Sequence, residues 1–168
     1  MTETMTVTQV QRIYIRATPE RVWEAITTPE WSRRYGYSGA VEYELHAGGR
    51  FVGYTNESAR AMGAPDVAID GEVLEADPPR RLVQTWRVLM DPSMAAEAPS
   101  RVTWEIEERP GGMTRLTVTH ELPEDSAVAV MMAGGMEDQG AGGGWSWILS
   151  GLKTVLETGE PMESPSEP

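Results

Sequence analysis

Cysteine is absent from this chain of 168 residues, and histidine occurs only twice. The absence of cysteine excludes disulfides, thiolate metal ligands and a thiol nucleophile. The two histidines, His46 and His120, lie far apart in sequence, so we expect no zinc site and no other metal site. A chain without cysteine is compatible with the cytoplasm, which is the location we expect.

Basic residues are scarce, because 14 Lys and Arg stand against 26 Asp and Glu and give a formal net charge of -12. Such a surface repels phosphates, so nucleic acid and anionic membranes are not expected as partners. It favours a neutral or cationic small ligand instead. Long apolar runs are also missing: no stretch approaches the roughly 18 residues of a membrane span, and residues 1–9 are too polar for a secretory signal.

Two copies of one tripeptide mark helix starts near the N-terminus. Residues 10–17 alternate as a strand and lead into Thr18-Pro19-Glu20, and Thr28-Pro29-Glu30 repeats the pattern. Threonine caps a helix, proline suits its first position and glutamate suits the positive end of the dipole. The sequence therefore predicts one strand followed by two short helices.

Six further strands are predicted, in three pairs joined by glycine or proline turns: residues 41–46 and 50–56, 67–76 and 81–90, and 101–108 and 113–122. In the last pair Val102, Trp104 and Ile106 share one face and polar residues share the other. A sheet of this kind is antiparallel and covered on one side only. The loops at 57–66 and 91–100 show no helix or strand pattern.

The last helix is predicted at residues 144–157, where apolar residues recur at helical spacing along one stripe: Trp145, Ile148, Leu149, Leu152, Val155 and Leu156. That stripe must pack on the sheet, and we expect a cavity beneath it. The glycine-rich segment 134–144 ahead of it is either a lid hinge or a loose connection. The predicted organisation is α+β: a flexible N-terminus at 1–9, one domain at 10–158 with a curved antiparallel sheet wrapped around the helix, and a disordered acidic tail at 159–168.

Several stretches, taken in order, resemble the SRPBCC superfamily: Ala17-Thr18-Pro19-Glu20-Arg21-Val22-Trp23, Gly71-Glu72-Val73, Asp77 to Trp86, Val102-Thr103-Trp104-Glu105, Thr114 to His120 and Gly144-Trp145. The resemblance is to the branch related to the C-terminal domain of the heat-shock-protein-90 ATPase activator. It implies a START-like, helix-grip fold with a hydrophobic cavity between sheet and long helix. Lipid carriers, polyketide cyclases, self-resistance proteins and co-chaperone domains share this fold, so the resemblance does not select a function.

Six residues are candidates for the cavity wall: Trp86, Trp104, His120, Tyr54, Met136 and Trp145. Concave, aromatic-lined sites suit hydrophobic or aromatic ligands, although aromatic side chains also build packed cores. His120, Tyr54 and Asp138 are the candidates for moving protons.

Three functions follow from this prediction. The first is binding of a hydrophobic or aromatic small molecule, with no cofactor. The second is a polyketide cyclase or aromatase-like enzyme that uses the same cavity, and the third is a co-chaperone-like interaction module. The sequence leaves open whether the protein is an enzyme and whether it forms a homodimer.

Overall fold

The computed structural model describes residues 5–140 and 142–163. The strands are β1 Thr6–Ile15, β2 Val41–Tyr43, β3 Arg50–Tyr54, β4 Val67–Asp77, β5 Arg81–Val88, β6 Ser100–Arg109 and β7 Met113–Pro123. The helices are α1 Pro19–Thr27, α2 Pro29–Ser32, α3 Glu57–Ala61, α4 Pro92–Ala95, α5 Ala127–Met132 and α6 Gly144–Thr158, with a 3-10 turn at Glu137–Gln139. In the part of the chain so described, no helix is both long and apolar enough to cross a membrane.

The strands form one antiparallel sheet in the order β1-β7-β6-β5-β4-β3-β2. Strands β2 to β7 follow one another as a meander, and β1 reaches back to pair with β7. The register shifts at Gly53/Tyr54 and again at Val73/Glu75. Such irregularities bend a sheet, and they help to give it the predicted curvature.

The paired short helices are confirmed. The Thr18 hydroxyl oxygen accepts a hydrogen bond from the backbone nitrogen of Arg21 and caps α1, and α2 begins directly after Thr28. Val22 and Ile26 bury their side chains in the core, so α1 covers part of the inner face of the sheet.

Helix α6 lies across the same inner face. Trp145, Leu149, Leu152 and Leu156 belong to the buried core, as the helical spacing predicts. In the second half of α6, the Lys153 ammonium donates to the backbone oxygen of Tyr14 on β1 at 2.8 Å. The helix therefore touches both the centre of the sheet and its β1 edge.

Some boundaries differ from the sequence prediction. Residues 6–9 belong to β1 rather than to a flexible N-terminus, because they pair with the end of β7. The loops predicted as irregular each contain a one-turn helix, capped by the side chains of Asn56 and Asp91. Of the predicted tail, residues 164–168 lie outside the described residues, as do residues 1–4 of the predicted N-terminus.

The backbone entering α6 requires glycine at position 144. Gly144 has a φ of 68°, and a Cβ atom built there would lie 2.2 Å from the carbonyl oxygen of Met132. Gly140 has a φ of 83°, but a Cβ atom there would meet nothing within 4 Å. The two glycines thus share the left-handed conformation and differ in the space around them.

We expect Gly140→Ala to lower the free energy of unfolding by about 1 kcal/mol, the cost of a left-handed alanine. Gly144→Ala should lower it by about 3 kcal/mol, because the overlap with a backbone carbonyl adds to that cost. Urea unfolding of both variants measures the difference. Equal losses at the two positions would show that the backbone before α6 moves aside freely.

Candidate functional site

Four of the predicted site residues meet under α6. The Trp145 ring stacks on Trp86 at a centroid distance of 5.6 Å and meets Trp104 edge-on at 5.4 Å. The His120 ring lies 5.7 Å from Trp145 and 5.2 Å from Trp86. All four side chains are between 0 and 7% exposed. The rings pack against one another, in geometries that aromatic pairs prefer, and form the centre of the core.

His120 has hydrogen bonds at both ring nitrogens. The indole nitrogen of Trp145 donates to Nδ1 at 3.1 Å, and Nε2 lies 2.7 Å from the Ser100 hydroxyl. An indole N–H can only donate, so Nδ1 is the acceptor and Nε2 carries the proton. The Ser100 hydroxyl then donates onward to the backbone oxygen of Trp86 at 2.9 Å.

This chain of bonds defines the state of His120. Burial lowers the pKa of the imidazole to about 3, so the ring is neutral. Neither ring nitrogen is left over for a ligand or for proton transfer. The structure thus places His120 in the packed core, whereas the sequence prediction placed it at the wall of a cavity.

The remaining predicted residues do not join this cluster. The Tyr54 hydroxyl donates to the Glu42 carboxylate at 3.0 Å, at the point where the register shift after Gly53 turns the strand. Asp138 lies exposed in the 3-10 turn, and Met136 is partly buried against the core. Tyr54 and Asp138, the other two candidates for moving protons, therefore do not belong to the cluster that contains His120.

A second buried polar group was not predicted. The Gln84 carbonyl oxygen accepts from the Tyr43 hydroxyl at 2.8 Å and from the Trp104 indole at 3.0 Å. Its amide nitrogen has no partner among the described residues, although the side chain is fully buried. The signal in the sequence was a glutamine at an inward position of β5, between Leu82 and Trp86.

An open groove of about 480 Å³ lies on the other side of α6. Three segments that are remote in sequence enclose it: the connection from α2 to β2, the start of α3, and the chain after α6. Its lining residues are Arg33, Arg34, Tyr35, Gly36, Ser38, Asn56, Ser58, Trp147, Gly151, Pro161, Met162 and Glu163. None of these was among the predicted site residues.

Contacts to α6 hold the first wall of the groove in place. The Trp147 indole donates to the backbone oxygen of Gly36 at 3.0 Å. A Cβ atom on Gly151 would lie 3.3 Å from the Cβ atom of Tyr35. Glycine at this position of α6 therefore lets the α2–β2 connection pack closely against the helix. The Tyr35 hydroxyl in turn donates to the backbone oxygen of Ala25 on α1 at 2.8 Å.

Arg34, one of the two arginines that line the groove, is also held in place. The Arg34 guanidinium stacks over the Trp31 ring at 4.8 Å and donates to the backbone oxygen of Gly159 at 2.6 Å. This bond ties the segment after α6 to the segment after α2. Hydrogen bonds therefore hold both the α2–β2 connection and the chain after α6 in position along the groove.

The curved antiparallel sheet with a long helix across it defines the helix-grip class. Residues 16–157 match the family model described as Activator of Hsp90 ATPase homolog 1-like protein, and the chain belongs to that family, within the SRPBCC superfamily. No curated protein matches the chain significantly.

Solved structures share the fold. Protein MLL2253 from Mesorhizobium loti is 24% identical, over 89% of this chain and 96% of that one, with a TM-score of 0.64. CalU16 from Micromonospora echinospora is 22% identical, over 97% and 83%, with a TM-score of 0.61. The Aha1 dimer from Colwellia psychrerythraea is 18% identical, over 91% and 98%, with a TM-score of 0.62. At such identities the likeness concerns the fold alone.

We expect His120 to make folding sensitive to acid. Its folded-state pKa of about 3 lies below the ordinary value of 6.5, so its stabilising effect is complete above pH 6.5 and declines as the pH falls towards 3. The slope approaches about 1.4 kcal/mol per pH unit within that window. His120→Gln can keep both hydrogen bonds without titrating, and its stability should depend less on pH between 6.5 and 5.

Urea unfolding at several pH values measures this slope. His46→Gln is the matched control, because His46 is largely exposed and its removal should leave the slope unchanged. An identical slope in the wild type and in His120→Gln would contradict the assigned neutral state.

Proposed function

We propose that this protein binds a small organic molecule with an apolar or aromatic body in the groove beside α6. The observation that carries the proposal is the groove itself, whose volume of about 480 Å³ falls within the range of small-molecule sites. Tyr35, Trp147, Pro161 and Met162 offer apolar surface, and hydroxyl groups and guanidinium groups stand beside them. Such a mixture suits a ligand with a flat body and few polar groups.

The ligand class is the one expected from the sequence, but the binding site is the groove beside α6 and not a cavity between α6 and the sheet. Between the sheet and α6, the stacked rings of Trp86 and Trp145 occupy the volume in which a ligand was expected. A guest at that position would have to separate a buried aromatic pair, and such pairs contribute about 0.5–1.5 kcal/mol beyond their area. The groove already exposes Trp147 and Tyr35 without that cost.

Binding is favoured over the cyclase-like alternative by the state of His120. A general base must reach the proton that it removes, and both nitrogens of this ring already have partners. For the co-chaperone-like alternative, no described surface offers a specific argument. Ligand binding is therefore the function that the geometry supports best.

We expect Trp147→Ala to weaken binding of an uncharged aromatic probe by about tenfold, which corresponds to about 1.4 kcal/mol. The substitution removes one aromatic wall and the bond to Gly36. The probe is phenylnaphthylamine, whose fluorescence rises in apolar surroundings and can be titrated directly.

Leu74→Ala is the matched control, since Leu74 is 38% exposed on β4 and does not line the groove. Its affinity should equal that of the wild type. Absence of probe binding to the wild-type protein, or unchanged affinity in Trp147→Ala, would refute the proposed site. Circular dichroism of each variant verifies that it is folded.

A further inference from the structure

We infer that the groove selects aromatic organic acids, whose negative group is bound by Arg33 and Arg34. This inference rests on the proposed function and names the ligand class of the same site. It reverses, at one place on the surface, the neutral or cationic preference that the net charge of -12 suggests.

Arg33 and Arg34 belong to the larger group of cationic side chains without an ion pair among the described residues, and they are the two of that group that line the groove. Six cationic side chains have carboxylate partners within 4.0 Å: Arg80, Arg81, Arg87, Arg101, Arg115 and Lys153. Within residues 5–140 and 142–163, neither Arg33 nor Arg34 has an ion pair, although acidic residues outnumber basic ones by 26 to 14. Two unneutralised guanidinium groups beside one concave surface create a local excess of positive charge.

Arg34 is held in position before any ligand arrives. Its guanidinium lies over the Trp31 ring, and its bond to Gly159 uses one of five N–H donors. Arg21 approaches the same Trp31 ring at 5.8 Å and adds positive charge nearby. A guanidinium whose orientation is fixed loses less freedom when it binds a carboxylate or sulfonate.

The other polar groups of the lining do not oppose this assignment. The Asn56 amide is already engaged, since it donates to the Tyr37 backbone oxygen and caps α3. Glu163 is the one carboxylate of the lining, so two positive groups stand against one negative group. Ser38 has a φ of 62°, an uncommon backbone conformation of the kind found at ligand sites.

The overall negative charge does not prevent an anion from binding here. At physiological ionic strength, interactions between exposed charges are screened beyond about 8 Å. Contacts within hydrogen-bond distance are screened much less, and those that join two charged groups are among the strong ones. The local pair of arginines therefore outweighs the distant carboxylates once the ligand is seated.

Two fluorescent probes with the same aromatic body test the inference: anilinonaphthalenesulfonate, which is an anion, and phenylnaphthylamine, which lacks the sulfonate. We expect the wild-type protein to bind the anion about tenfold tighter or more. The variant Arg33→Gln should lose part of that preference and keep its affinity for the neutral probe within about twofold, and the double variant Arg33→Gln/Arg34→Gln should lose the preference altogether.

Arg109→Gln is the matched control, because Arg109 ends β6 and has no part in the groove. It should retain the wild-type preference. Since Arg34 also holds Gly159, the single variant Arg33→Gln provides a second test at an exposed position, and it should lose part of the preference without loss of stability.

Equal affinity of the wild-type protein for the two probes would overturn the inference and leave the proposed function intact. The same holds if Arg33→Gln and the double variant keep the full preference, or if Arg33→Gln loses both probes in parallel. Failure of both probes to bind the wild-type protein would instead remove the proposed function, and the inference with it.

Discussion

The contact of Trp145 with the inner face of the sheet is the constraint on which the rest of the structure depends. Its ring touches Trp86, Trp104 and His120, and its indole nitrogen gives His120 its tautomer. The direction of the hydrogen bonds through Ser100 follows from that single donor. Because the first turn of α6 is held against the sheet, Trp147, two residues after Trp145, lies on the side of the helix away from the sheet. There it lines the groove.

Helix α6 thus has one face packed against the sheet and another face along the groove. Aromatic rings fill the space between α6 and the sheet. Both ring nitrogens of His120 have hydrogen-bond partners there. The side that faces the α2–β2 connection carries glycine at position 151 and a tryptophan that reaches only a backbone oxygen. A helix that is sealed on one face can bind a ligand on the other without loosening the core.

Much of the fold could be predicted from the sequence, and the place of the groove could not. Alternation along the strands and helical spacing in the last segment correctly brought Trp86, Trp104, His120 and Trp145 to one place. Periodicity reports which face a residue occupies, but not the distance between two faces, and this distance decides whether rings meet or enclose a cavity. The groove is assembled from three segments far apart in sequence, none of which has a periodic pattern. The one-turn helices α3 and α4 were missed for the same reason, although Asn56 and Asp91 were visible as caps.

The pairing of β1 with β7 has a consequence for how the chain acquires its shape. Thr6 pairs with Pro123, so the first strand of this sheet in chain order can pair only after the last strand has been synthesised. Contacts of such long sequence separation slow folding, typically to milliseconds or seconds. On the ribosome, the meander from β2 to β6 can form while β1 is still without a partner strand, and only the emergence of β7 completes the sheet on which α6 then packs.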